Sequence, residues 1–81
     1  MKRYFREVRM LDKGEISIEE FIRRVVSVEE KITDVDIAVA YRIYVEDGGR
    51  RYGFEDFAKC IEEKTLPVEL DVVKGIVTQP W

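Results

Sequence analysis

The sequence lacks histidine and asparagine altogether, and it has only one cysteine, Cys60, and one glutamine, Gln79. Histidine is the commonest general base and metal ligand, so its absence argues against most catalytic and metal sites. A single cysteine cannot form an internal disulfide, which is typical of proteins from a reducing compartment. Scarce thermolabile amides beside abundant Glu, Lys and Arg are typical of proteins from hot environments.

Long hydrophobic runs are also missing. No stretch approaches the ~20 apolar residues that a membrane-spanning helix needs. The basic start, Met1-Lys2-Arg3, continues into charged residues rather than into the apolar core of a signal peptide. We therefore predict a cytoplasmic protein that has no membrane partner. With 81 residues, 46% of them hydrophobic and 38% charged, the chain fits a single folded domain over residues 1–81.

Helical periodicity is clear in three parts of the chain. Ile18, Phe21, Ile22, Val25 and Val26 follow the spacing of an amphipathic helix, which Ser17 can cap. Thr33 and Asp36 have the spacing of a capping box at the start of a further helix. Two more stripes, in the order of the chain, are Tyr4, Phe5, Val8 and Leu11, and then Phe54, Phe57, Ala58 and Ile61, which ends near Lys64.

Two segments are ambiguous. Residues 37–45 fit helical spacing but also alternate like a strand, and Asp47-Gly48-Gly49 follows them as a turn would. The alternative fold is therefore α+β, with a hairpin at about 37–54. The C-terminal tail, residues 65–81, is apolar and valine-rich, but Gly75 and Pro80 leave its secondary structure undecided.

An internal repeat organises the first three quarters of the chain. Residues 14–21 align without a gap with residues 50–57, at an offset of 36 residues, and the same offset pairs Phe5 with Tyr41. Each unit is an aromatic helix, a loop, a short extended step and the acidic start of a second helix. This arrangement resembles a pair of EF-hands, the helix-loop-helix repeat of calmodulin-like proteins.

The resemblance implies an all-α fold of two EF-hand-like units over residues 4–64, with four helices and the apolar tail 65–81 outside them. It also implies a short β contact between the two loops, with Ile16 and Tyr52 at the paired positions.

The calcium ligands of the family are missing. A working loop supplies oxygens at positions 1, 3 and 5, glycine at position 6 and a bidentate glutamate at position 12. Positions 1, 3 and 5 are Arg9, Leu11 and Lys13 in the first loop, and Val45, Asp47 and Gly49 in the second. The second loop also has Arg50 at position 6 and Asp56 at position 12. We predict that the protein binds no metal ion and needs no cofactor.

The composition indicates a protein that is not an enzyme. No histidine is available, no phosphate-binding loop is present, and Cys60 lies on an apolar stripe where an inert thiol is expected. Paired EF-like units can instead form a groove for an amphipathic helix. The predicted lining of this groove is Phe5, Phe21, Ile22, Tyr41, Phe57, Ile61 and Trp81.

The leading hypothesis is thus a small regulator or adaptor whose partner is another protein or a second copy of itself, as a homodimer. The tail packs into its own groove by default, and exchange with a second copy or capture by a partner are its alternatives.

Nucleic-acid binding is the alternative function. In an EF-like pair the loops lie side by side, so that Arg9 and Lys13 can converge with Arg50 and Arg51, and the predicted nucleic-acid contacts are Arg6, Arg9, Arg50 and Arg51. These four residues can form a basic rim for DNA or RNA. The net charge of -3, from 14 basic and 17 acidic residues, does not favour this function.

Overall fold

Five helices make up most of the described chain. The computed structural model describes residues 3–27, 31–64 and 68–79. The helices are α1 (Phe5–Lys13), α2 (Ile18–Val26), α3 (Asp34–Glu46), α4 (Phe54–Lys64) and α5 (Leu70–Val77). These ranges contain no strand, and none of their helices is long and apolar enough to cross a bilayer. The predicted all-α class is confirmed, and the fifth helix adds to the four that were predicted.

Side-chain caps fix the starts of α2, α3 and α4. The Ser17 hydroxyl accepts a hydrogen bond from the Glu20 amide at 3.1 Å. Thr33 and Asp36 form the predicted reciprocal box, in which the Asp36 carboxylate accepts from the Thr33 amide at 2.9 Å. The Asp56 carboxylate accepts from the Gly53 amide at 2.8 Å in front of α4. Each cap satisfies backbone donors that a helix start leaves unpaired.

The central helix α3 settles the ambiguity over residues 37–45. These residues lie entirely within α3, so the predicted hairpin at 37–54 is wrong. Helices α2 and α5 both pack on α3, which must therefore present apolar side chains in several directions. Ile37, Ala38, Ala40, Ile43 and Tyr44 are all buried. An apolar pattern on several sides of a helix also satisfies strand alternation, and this is why the sequence pattern was ambiguous.

The core is built around an aromatic cluster between α2, α3 and α4. The ring of Phe21 meets Tyr44 edge-on, with 5.9 Å between centroids, and Phe57 in the same manner at 6.4 Å. Tyr44 and Phe57 also lie 5.7 Å apart, and all three side chains are inaccessible to solvent. Such edge-to-face pairs contribute about 0.5–1.5 kcal/mol each beyond the burial of their area.

Residues 70–77 of the tail pack on their own domain as helix α5. Val73 is fully buried, and Leu70, Ile76 and Val77 are half-buried against the core. The Glu69 amide donates to the Asp34 carboxylate at 2.8 Å, and the Arg42 guanidinium donates to the Val77 carbonyl at 2.7 Å. The start of α5 therefore lies at the start of α3 and its end one turn before the end of α3, so the two helices run parallel.

Candidate interaction surface

The predicted groove residues are mostly core residues. Phe21, Ile22 and Phe57 are fully buried, and Ile61 is 3% exposed. Tyr41 is half-buried, with its ring 5.3 Å from that of Phe57. Phe5 lies outside the core at 42% exposure, and Trp81 falls outside the described residues. The four buried side chains therefore do not line an open groove in this structure.

The two loops meet at Asp12, in the last turn of α1. Its carboxylate accepts hydrogen bonds from the backbone amides of Arg50, at 3.4 Å, and Arg51, at 3.2 Å. Its carbonyl accepts from the Arg51 guanidinium at 2.9 Å. The last turn of α1 is thus joined to the segment between α3 and α4. Among the described residues, however, these Asp12 bonds join the loops and no backbone-to-backbone hydrogen bond does.

The Tyr44 hydroxyl completes the junction from inside the fold. It donates to the Asp12 carboxylate and accepts from the amides of Arg51, at 2.9 Å, and Tyr52, at 3.0 Å. Burial, together with the hydrogen bond to the Asp12 carboxylate, raises the pKa of the Tyr44 phenol from 10.0 to about 12. Sequence analysis missed this pair because Asp12 and Tyr44 are 32 residues apart.

The predicted basic rim is only partly available to a ligand. The Arg51 guanidinium is engaged with the Asp12 carbonyl and lies over the Tyr52 ring, 5.4 Å from its centroid. Arg50 is exposed, and its backbone is tied to Asp12 in α1. Arg6 and Arg9 are exposed on α1 itself. The junction at Asp12 therefore ties the loop that carries Arg50 and Arg51 to the helix that carries Arg6 and Arg9, and the Arg51 side chain is held within the fold.

A shallow depression runs along the outer side of α1. It has a volume of about 460 Å³, and we call its lining the α1 surface: Phe5, Arg6, Arg9, Met10, Lys13 and Glu15. Its apolar members are an exposed phenylalanine and a half-buried methionine. The guanidinium of Arg9 lies over the Phe5 ring, 5.4 Å from the centroid. The α1 surface therefore combines positive charge with accessible apolar area.

The cations of the α1 surface have no acidic partner in the described part of the chain. None of Arg6, Arg9 and Lys13 lies within 4.0 Å of a carboxylate oxygen of a described residue. The described salt bridges instead join glutamates to Arg3, Arg23 and Arg24. Three cations and one carboxylate, Glu15, line the depression of a chain whose net charge is -3. Positive charge is thus concentrated at this surface, and no carboxylate of residues 3–27, 31–64 or 68–79 forms an ion pair with it.

The predicted ligand positions of the first loop lie on a helix. Helix α1 continues to Lys13, so Arg9 and Leu11 are helical, and Leu11 is fully buried. No three acidic, cysteine or histidine side chains come together as a metal cage within residues 3–27, 31–64 and 68–79. The absence of metal binding remains a prediction.

Asp47 is a buried carboxylate at the end of α3. It is 7% exposed, and its Oδ2 atom has no hydrogen-bond partner among the described residues. Residue 47 also caps the C-terminus of α3, where the partial negative charge of the helix repels an anion. Both features are unfavourable for the folded state.

Replacing this carboxylate should stabilise the protein. We expect Asp47→Asn to raise the free energy of unfolding by about 1 kcal/mol, because it removes a buried unpaired charge from a helix C-terminus. Thermal unfolding followed by circular dichroism at pH 7 measures this. The control is Glu46→Gln, whose exposed carboxylate lies 3.8 Å from Arg3, and which should change stability by less than about 0.5 kcal/mol. Lower stability of Asp47→Asn would mean that the carboxylate has a bound partner.

Comparison of the chain with known protein families, curated proteins and solved structures finds no match.

Proposed function

We propose that the protein is a non-enzymatic, metal-independent interaction module that binds an acidic amphipathic helix of a protein partner on the α1 surface. The observation that supports this most is the set of three cations beside Phe5 and Met10 that form no ion pair with a described residue. Carboxylates of a partner supply the missing counter-charges, and apolar side chains of the same helix cover the exposed aromatic ring. Complementary charge of this kind gives specificity and speeds association.

A protein partner suits this surface better than a nucleic acid. Phosphate-binding surfaces gather many cations on a basic domain, whereas this domain has a net charge of -3 and Arg51 is engaged within the fold. The accessible apolar area of Phe5 and Met10 is typical of protein recognition. Nucleic-acid binding through Arg6, Arg9, Arg50 and Arg51 is therefore the alternative, and the binding test compares an oligonucleotide with a helical peptide.

We further propose that the scaffold is a degenerate EF-hand pair, made of α1–α2 and α3–α4, that has lost its ion sites. The repeat offset of 36 residues and the meeting of the two loops at Asp12 support this relation. The EF-hand resemblance implies a short β contact between the loops, and in this proposal the Asp12 carboxylate joins them instead. A carboxylate that accepts backbone amides can hold two loops together without a cation.

The test is a binding titration with a labelled synthetic amphipathic helix of leucine and glutamate. Fluorescence anisotropy at about 50 mM salt keeps screening weak. Arg6→Glu combined with Arg9→Glu should weaken binding by about tenfold or more, because like charges then face each other. Arg23→Glu combined with Lys59→Glu makes the same change in net charge on exposed residues of α2 and α4, and should leave the affinity within about twofold.

Two results would contradict the proposal. Equal weakening by both double variants would mean that only net charge matters. Tighter binding of a single-stranded oligonucleotide than of the peptide, with a steep salt dependence, would establish the nucleic-acid alternative.

A further inference from the structure

Helix α5 is held at both ends by side chains of α3. The Asp34 carboxylate accepts from the Glu69 amide at 2.8 Å in front of the first turn of α5. The Arg42 guanidinium donates to the carbonyls of Val77, at 2.7 Å, and Gln79, at 3.3 Å, behind its last turn. The two anchors are eight residues apart on each helix, which is about 12 Å of helix rise. Because the two anchors have the same spacing on both helices, α3 presents a receptor face that matches a helix of this length.

Helix α5 depends on this face for its own formation. It has eight residues, no side-chain cap of its own at Glu69 and a glycine, Gly75, in its interior. Helices this short are marginal in water, and an interior glycine weakens them further. Val73 is its one fully buried side chain. The contacts that order α5 therefore come from α3, and they are the same contacts whichever chain supplies the helix.

We propose that the α3 face receives α5 from a second copy of this chain, so that the closed monomer is in equilibrium with a dimer that exchanges its C-terminal helices. The second copy is the occupant because it carries the same buried valine, the same amide at residue 69 and the same carbonyls at the helix end. The exchanged helix makes the same contacts with α3 that it makes within one chain, so no new interface has to form. When each chain gives its α5 to the other, the result is a two-fold symmetric dimer. Because α5 is linked to α3 in the same chain, its effective concentration at the α3 face is near the millimolar range. The monomer therefore dominates when the protein concentration is well below this value.

The test uses two complementary full-length variants. Val73→Asp places a charge in the buried position of α5 and spoils that helix as a donor, but leaves its α3 face intact. Arg42→Glu repels the carbonyls at the end of α5 and spoils the receptor face, but leaves its α5 intact. We expect each variant alone to be monomeric at about 100 µM, and their mixture to form a one-to-one pair seen by size-exclusion chromatography with light scattering.

The control variant is Val72→Asp, which adds the same charge to α5 at a residue that is 43% exposed. It should form no pair with Arg42→Glu. Circular dichroism must show that both partners lose no more helix than α5 itself contributes, and Val73→Ala replaces Val73→Asp if the latter loses more. Absence of a mixed species from folded variants, or equal pairing by Val72→Asp, overturns the proposal.

A peptide of residues 68–79 provides a second measurement. It should bind the folded Val73 variant, and Arg42→Glu in that background should weaken its binding by about tenfold, since charged hydrogen bonds to the helix end are lost. An affinity that Arg42→Glu leaves unchanged contradicts the proposed receptor face.

Discussion

Tyr44→Phe should lower the free energy of unfolding by about 2–3 kcal/mol, because one hydroxyl serves three hydrogen bonds at the junction of the loops. The variant removes the donor to Asp12 and the acceptor of the Arg51 and Tyr52 amides. Arg51 keeps a bond to Asp12 at 3.2 Å, but the Tyr52 amide loses its acceptor. Unpaired buried donors cost more than the net value of the bond itself.

Urea unfolding measures this effect against a matched control. Tyr41 lies on the same helix, and its hydroxyl has no hydrogen bond to a described residue, so Tyr41→Phe should change stability by less than about 0.5 kcal/mol. Equal stability of the Tyr44→Phe and Tyr41→Phe variants would contradict the role given to Asp12 and Tyr44.

The same hydroxyl makes stability sensitive to alkali. The pKa of Tyr44 rises from 10.0 to about 12 on folding, so the unfolded chain releases this proton first. The stability that this shift contributes is complete below pH 10 and is lost as the pH rises from 10 to 12. Absorbance titration of the four tyrosines should show one component near pH 12. This component should disappear in Tyr44→Phe, and its persistence there would assign it to another tyrosine.

Gly49→Ala should destabilise the protein by about 3 kcal/mol, the upper part of the range for overpacked cores. A Cβ atom at residue 49 would lie less than 3.0 Å from three carbons of the Tyr44 ring. That ring cannot retreat easily, because it is fully buried against Phe21 and Phe57 and its hydroxyl is held by Asp12.

A substitution at the neighbouring Gly48 is the control that distinguishes steric crowding from backbone strain. Gly48 has a φ of +88° and open space around its Cβ position, so Gly48→Ala should cost only about 1–2 kcal/mol for the left-handed backbone. Thermal unfolding of both variants makes the comparison. A Gly49→Ala variant that is more stable than Gly48→Ala would show that the Tyr44 ring does not pack against residue 49.

Local patterns predicted the helices that depend on local signals. The caps at Ser17 and Thr33 and the stripe from Phe54 to Ile61 are found as predicted, since a cap and an apolar face act within a few residues. The sequence does not decide the secondary structure of residues 70–77, because the valines, Gly75 and the short length of this segment give no helical signal of their own. The two ends of α5 are bound by Asp34 and Arg42, each 35 residues before its hydrogen-bond partner.

The candidate surface was harder to predict than the core. Large apolar residues were assigned to a groove, but Phe21, Ile22, Phe57 and Ile61 are buried because a small domain needs its aromatic side chains for its own core. Arg6 and Arg9 were identified as exposed cations, and this is where they lie. The junction of Asp12 with Tyr44 was not predicted, because periodicity carries no information on contacts between distant residues.

The most direct test of the α1 surface is a nuclear magnetic resonance titration of the ¹⁵N-labelled protein with the leucine and glutamate peptide. We expect the largest amide shifts at Arg6, Arg9, Met10 and Lys13, with the amides of Phe21 and Phe57 unchanged. The largest shifts at Phe21 and Phe57 would instead show that the core opens into a groove, and this result would contradict binding at the α1 surface.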